Sequence, residues 1–192
     1  MSQETRTVPF VGAHHVAYRC RDAEQTRWFY EDAMGLPLAA ALVIEAVPGT
    51  NEDTPYMHLF FGLPDGNYIA FFDEPTKIAP EWFDMKHGFD MHYAFEAQSE
   101  ADMLAMKDRM KAAGVQVFGP IDHGFVRSVY MYDPNGIQIE FTTRTPDHDK
   151  IMAEEKSHAR DAITEWGRRT RETKIAKFGE EALSRRGREA RA

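Results

Sequence analysis

The chain has 192 residues, 43% hydrophobic and 28% charged, a globular profile with enough length to bury a core. A formal net charge of −8 argues against a nucleic-acid partner, which needs a basic surface. No apolar run approaches a membrane span, MSQETRTVPF lacks a signal-peptide layout, and a lone Cys20 excludes an internal disulfide or a cysteine-based zinc site, so a cytoplasmic protein is expected.

In chain order, a short N-terminal arm (1–9) precedes an alternating apolar run from His15 to Cys20, which reads as a half-buried strand. Asp22 is a helix N-cap with Gln25 three residues on, and Gly35 ends that helix. The segment around 40–47 supplies a strand, and YMHLFF and GNYIAFF supply two more, joined by a PDG turn. The same order then recurs. His92 to Ala97 is a strand, Ser99 is an N-cap with Asp102 three residues on, and Gly114 is a stop. The segment 115–126 supplies the next strand, and PNG turns the last hairpin. Pro64 falls on Pro134 and Gly66 on Gly136 at a constant offset, so the chain is two copies of one βαβββ unit. Within that repeat, Glu140 stands where the first copy has Ala70.

Strand parity sorts the side chains. Val16, Tyr18, Tyr93, Phe95, Ile139 and Phe141 are core, which turns His15, His92 and Glu140 to the opposite faces of their strands. His14, the rival first ligand, falls with the core face by the same parity. Two imidazoles and a carboxylate form the facial triad of non-haem Fe(II) sites, which leaves positions open for substrate and oxygen. Ala70 cannot supply a fourth ligand.

With HHVAYRC…WFYEDAMGL opening one half and YDPNGIQIEF closing the other, residues 10 to 144 resemble the vicinal oxygen chelate superfamily of glyoxalases, bleomycin-resistance proteins and extradiol dioxygenases. The resemblance implies an α+β fold, with two paired βαβββ modules (about 10–75 and 88–144) forming one vicinal-oxygen-chelate domain. His123, Val129, Tyr130, Asp133, Pro134, Gly136 and Glu140 resemble the signature of type I extradiol ring-cleavage dioxygenases. That resemblance implies Fe(II), with Mn(II) as the other candidate, held by His15, His92 and Glu140. It also implies that His123 and Tyr130 hydrogen-bond a bound catechol-like aromatic, which is cleaved with O2, and assist proton movement. The acid–base His of ring-cleaving relatives is replaced by Asn67 or Tyr68, parity favouring Tyr68, and His58 or His87 is the substitute. The resemblance leaves two other readings open, a metal-dependent lyase or isomerase (glyoxalase or epimerase) and a metal-free drug- or aromatic-binding protein.

Tyr68, Tyr132 and, on the long loop 73–88, Trp82 are the candidate substrate contacts. From 145 to 192 the chain is a charged tail of mixed sign. Ile151, Ala159, Ala162, Ile163 and Trp166 make a helical stripe there, and fraying or disorder is expected beyond about residue 168. A homodimer or higher homo-oligomer is expected from the resemblance.

Overall fold

The computed structural model describes residues 10–50, 53–84 and 90–183. It divides into two units, Met1–Thr143 and Arg144–Ala192. In the first unit, β1 (His15–Cys20) leads into α1 (Ala23–Arg27), which widens into a π-helical segment, Trp28–Ala33. Three strands follow: β2 (Leu38–Ile44), β3 (Tyr56–Gly62) and β4 (Tyr68–Asp73). After a single 3₁₀ turn, Pro80–Phe83, the pattern repeats with β5 (His92–Glu96), α2 (Glu100–Ala112), β6 (Phe118–Asp122), β7 (Val126–Tyr132) and β8 (Gln138–Arg144). The two sheets have orders β1-β4-β3-β2 and β5-β8-β7-β6. In each, the strand before the helix runs parallel to the last strand, with Ala17 beside Ala70 and Ala94 beside Glu140. The expected paired α+β architecture is therefore present.

Both helices start for the same chemical reason. The side chain of Asp22 accepts the Gln25 amide at 2.7 Å, and Ser99 Oγ accepts the Asp102 amide at 3.1 Å. Such caps satisfy donors that the first turn leaves open. At Ser99 the pair makes a second bond, since its hydroxyl donates to the Asp102 carboxylate at 2.6 Å. The helical segments stop where Gly35 and Gly114 take φ of +91° and +84°, a conformation that costs other L-residues more.

Alternation along the strands fills a shared core. Ile69 and Phe71 of the first sheet and Ile139 and Phe141 of the second join one cluster with Phe29, Tyr30, Met103 and Met110 from the helical segments. Polar bonds fasten the two modules. Tyr30 Oη donates to Asp133 Oδ2 at 3.0 Å, and the Arg21 amide donates to Asn135 Oδ1 at 2.8 Å. From the other side, Arg109 Nε donates to the Ala33 carbonyl at 2.6 Å. The hairpin turn of the second module is thus also a joint with the first.

The second unit contains α3 (His148–Phe178) and a short 3₁₀ turn, Glu181–Leu183. α3 runs unbroken to Phe178, past residue 168 where fraying is expected to begin, and ends at Gly179, where φ is 80°; residues 184–192 of the expected frayed tail lie outside the described residues. Its mixed charges support the helix through pairs such as Glu165 with Arg168, three residues apart. No described residue of α3 is buried, and among the described residues no helix is long and apolar enough to cross a membrane.

Candidate functional site

Strand parity holds at the three positions where it matters. Val16, Tyr18, Tyr93 and Phe95 pack against the core. His15, His92 and Glu140 lie on the opposite faces, although Glu140, at 5% exposure, is buried there. His14 departs from its expected core side: it is exposed, just ahead of β1, with Nδ1 2.9 Å from Nδ1 of His15 and its ring against Tyr68. The strand starts only at His15, so alternation does not extend back to His14.

On the second sheet a continuous polar chain forms. His92 Nε2 is 3.0 Å from Glu140 Oε2. The other carboxylate oxygen of Glu140 accepts from Tyr130 Oη at 3.2 Å, and Tyr130 Oη is 2.7 Å from His123 Nε2. With Tyr130 donating to the carboxylate, the His123 ring N–H is the donor to the phenol oxygen. Burial, above all, raises the pKa of Tyr130, and the negative charge of Glu140 adds to this against a lowering bond from Ser128. The phenol therefore stays protonated near neutral pH and is a donor.

His92, His123, Phe125, Tyr130, Gln138 and Glu140 line a cleft of about 400 Å³. Gln138, paired with His92 in the β5–β8 register, has a side-chain oxygen sealed from solvent without a partner among the described residues. The site therefore gathers a carboxylate, an imidazole nitrogen whose proton points at that carboxylate, and an orphaned amide oxygen. That donor set fits a divalent cation, since a metal ion can take the place of the proton between His92 and Glu140.

The structure does not bring His15 to this pair. His15 lies on the first sheet, 5.6 Å from the Phe60 ring and 6.2 Å from the His58 ring between centroids. Among the described residues no group of three His, Cys, Asp or Glu side chains is placed to hold a metal. His58 belongs to the His15 side as well. It is buried, stacked 3.8 Å from Phe72 at 8°, with Nδ1 2.9 Å from the Phe71 carbonyl. A carbonyl only accepts, so that bond places an N–H on Nδ1, and the lone pair of the neutral ring is on Nε2.

Tyr68 pairs with His15 in register and packs against Phe60, and Tyr132 is half-buried at the end of β7. Asn67 sits in the turn, where its amide donates to Asp65. His87 lies outside the described residues. Trp82 lines a second cleft, of about 310 Å³, with Ala17, Arg19, Met91, His92 and Gly136. Arg19, Gln138 and Asn135 were not singled out from the sequence. For Arg19 a signal was present, since it shares the parity of His15.

A family model described as Glyoxalase/Bleomycin resistance protein/Dioxygenase superfamily matches residues 12–141. No curated protein matches. Among solved structures, the chain is similar to a glyoxalase/dioxygenase from Nostoc punctiforme, at 25% identity and TM-score 0.55, over 75% of this chain and 99% of that one. It is similar to a glyoxylase/bleomycin resistance protein/dioxygenase domain from Frankia sp. EAN1pec, at 18% identity and TM-score 0.55, over 71% and 99%. A third is a mutant of the fosfomycin resistance protein FosX from Listeria monocytogenes, complexed with Mn(II) and 1S,2S-dihydroxypropylphosphonic acid. It matches at 19% identity and TM-score 0.53, over 73% of this chain and 98% of that one.

Proposed function

Because the chain belongs to the glyoxalase/bleomycin resistance protein/dioxygenase superfamily, we propose that it is an Fe(II)-dependent extradiol-type dioxygenase that opens a catechol-like ring beside its vicinal diol. The observation that carries this reading is the polar chain from His92 through Glu140 and Tyr130 to His123, which lines one cleft. His92 and Glu140 are two ligands of the metal, which when bound supplies the redox chemistry with oxygen. His123, whose Nε2–H faces Tyr130, takes a proton from a diol hydroxyl at Nδ1, and the Tyr130 hydroxyl turns from Glu140 to donate to the resulting oxygen. Phe125 and Ile121 give the cleft an apolar wall suited to an aromatic ring.

Two donors fall short of the facial triad. In this reading His15 of a second copy of the chain completes it, because within its own chain His15 sits on the other sheet beside Phe60 and His58. The Nε2 base of His58 travels with that His15 and is the substitute for the acid–base His that Tyr68 displaces. The location is cytoplasmic in this reading, and the metal is Fe(II) ahead of Mn(II).

The test is oxygen uptake by anaerobically Fe(II)-loaded protein across substituted catechols, with Glu140→Ala as control. Uptake with a yellow ring-opened product, lost in the variant, supports the reading. Bound metal without uptake sinks it and favours a metal-dependent lyase or isomerase, the second reading that Tyr68 in place of His supports. A protein that takes up no metal would be a binder of aromatics.

A further inference from the structure

We propose that Arg19, backed by Trp82, is a recognition site for an oxyanion, a carboxylate or phosphonate group carried by the ligand. The two residues line the second cleft with Ala17, His92 and Gly136. Several guanidinium groups elsewhere in the chain hold carboxylates. Arg27 binds Glu24, Glu31 and Asp32; Arg127 binds Asp122 and Glu100; Arg168 binds Glu165. Arg19, like Arg21, Arg160 and Arg169, has no carboxylate partner among the described residues, in a chain whose net charge is −8, and of these four it is the one that lines a cleft. Its guanidinium lies 4.4 Å from the centroid of the Trp82 ring.

A guanidinium lying over an indole meets the ring through its charge, which does not use up its N–H donors. Those donors form a fork that matches an oxyanion with two oxygens. Two residues along, Arg21 lies 5.4 Å from the Phe83 ring centroid, so a second cation rests on the same 3₁₀ turn. The repeat shows that the cation is no requirement of the fold, because Glu96 holds the matching place on β5. Ala17 keeps the wall between Arg19 and His15 short. Since His92 lines both clefts, an anion on Arg19 would sit at the far end of a molecule whose reacting end is at His92 and Glu140. That last placement rests on the function proposed above; the anion site itself does not.

The experiment needs neither metal nor diol. Tryptophan fluorescence of the full-length protein is followed during titration with benzoate, phenylphosphonate and uncharged benzamide. Trp82→Phe identifies which of the three Trp residues responds. The expected result is saturable change with the two anions and none with benzamide, absent in Trp82→Phe and weakened by salt. Arg19→Gln should raise the anion Kd about tenfold or more, and Arg19→Lys should lose less. The stronger of the two anions names the group. Equal responses to benzoate and benzamide, unchanged anion affinity in Arg19→Gln, or no response to either anion would each overturn the proposal. Failure of catechol cleavage with this anion response intact would leave the site standing and discard only the ring-cleaving reading.

Discussion

Tyr30→Phe removes one oxygen atom and tests whether the two modules are fastened by the bond it makes. Tyr30 is fully buried, and its hydroxyl donates to Asp133 Oδ2 at 3.0 Å. Asp133 also accepts from the Asn135 and Ile137 amides at 2.9 and 2.8 Å, and from Asn135 Nδ2 at 3.1 Å. Deleting the hydroxyl leaves Oδ2 with a single donor among the described residues, at a carboxylate that is 5% exposed. Hydrogen bonds to charged groups contribute about 1.5–3 kcal/mol, and a buried group left short of partners adds to the cost. Since Phe keeps the ring, its packing against Phe61 and Phe71 at 5.4 and 4.8 Å is retained, and the expected loss is about 2 kcal/mol. Urea unfolding followed by circular dichroism measures it as a lower midpoint at unchanged slope. A midpoint equal to that of the parent protein would refute the idea that this bond holds the modules together.

Other outcomes follow from the same geometry. Desolvation raises the pKa of Asp133 against the lowering effect of its donors. The associated stability is therefore fully present below the ordinary Asp value and lost as pH rises through the raised folded value, and Asp133→Asn should flatten that slope in pH-dependent urea titrations. Gly136→Ala would put a methyl 2.6 Å from the Phe83 carbonyl at φ of +77°, so thermal melting should fall by the equivalent of about 2 kcal/mol or more. Burial pushes the Cys20 thiol up to about 12, so it should resist thiol reagents in the native protein and react on unfolding. Inactive His15→Ala and Glu140→Ala chains, unfolded and refolded together as equal amounts, should recover about a quarter of parental activity if two copies share each site. A mixture that stays inactive would return His15 to its own chain.

Much of this fold could be read from residue order because its rules are local. Asp22 and Ser99 announce their helices through a side chain reaching three residues ahead, and alternation along β1, β5 and β8 places core and site residues on opposite faces. Pairing of the halves is a different matter. Parity says that His15 faces away from the core, yet it says nothing of which other strand that face meets, so convergence of His15 with His92 and Glu140 did not follow from it. The π-helical widening at Trp28–Ala33 was equally hidden, since it depends on how Phe29 and Tyr30 fit a core built from distant strands. Asn135 looked like one more turn residue. Its side chain accepts the Arg21 amide and donates to Thr26, contacts more than a hundred residues away in sequence that no local pattern encodes.

The turn that carries Asp133, Asn135 and Gly136 also has a thermodynamic consequence. Asn135 and Gly136 line the cleft that contains Arg19, while Asn135 and Asp133 clasp the first module. A molecule seated there rests partly on the clasp itself, so occupancy and cohesion draw on one set of contacts. By reciprocity, whatever tightens the clasp tightens binding, and whatever binds raises the temperature at which the halves part.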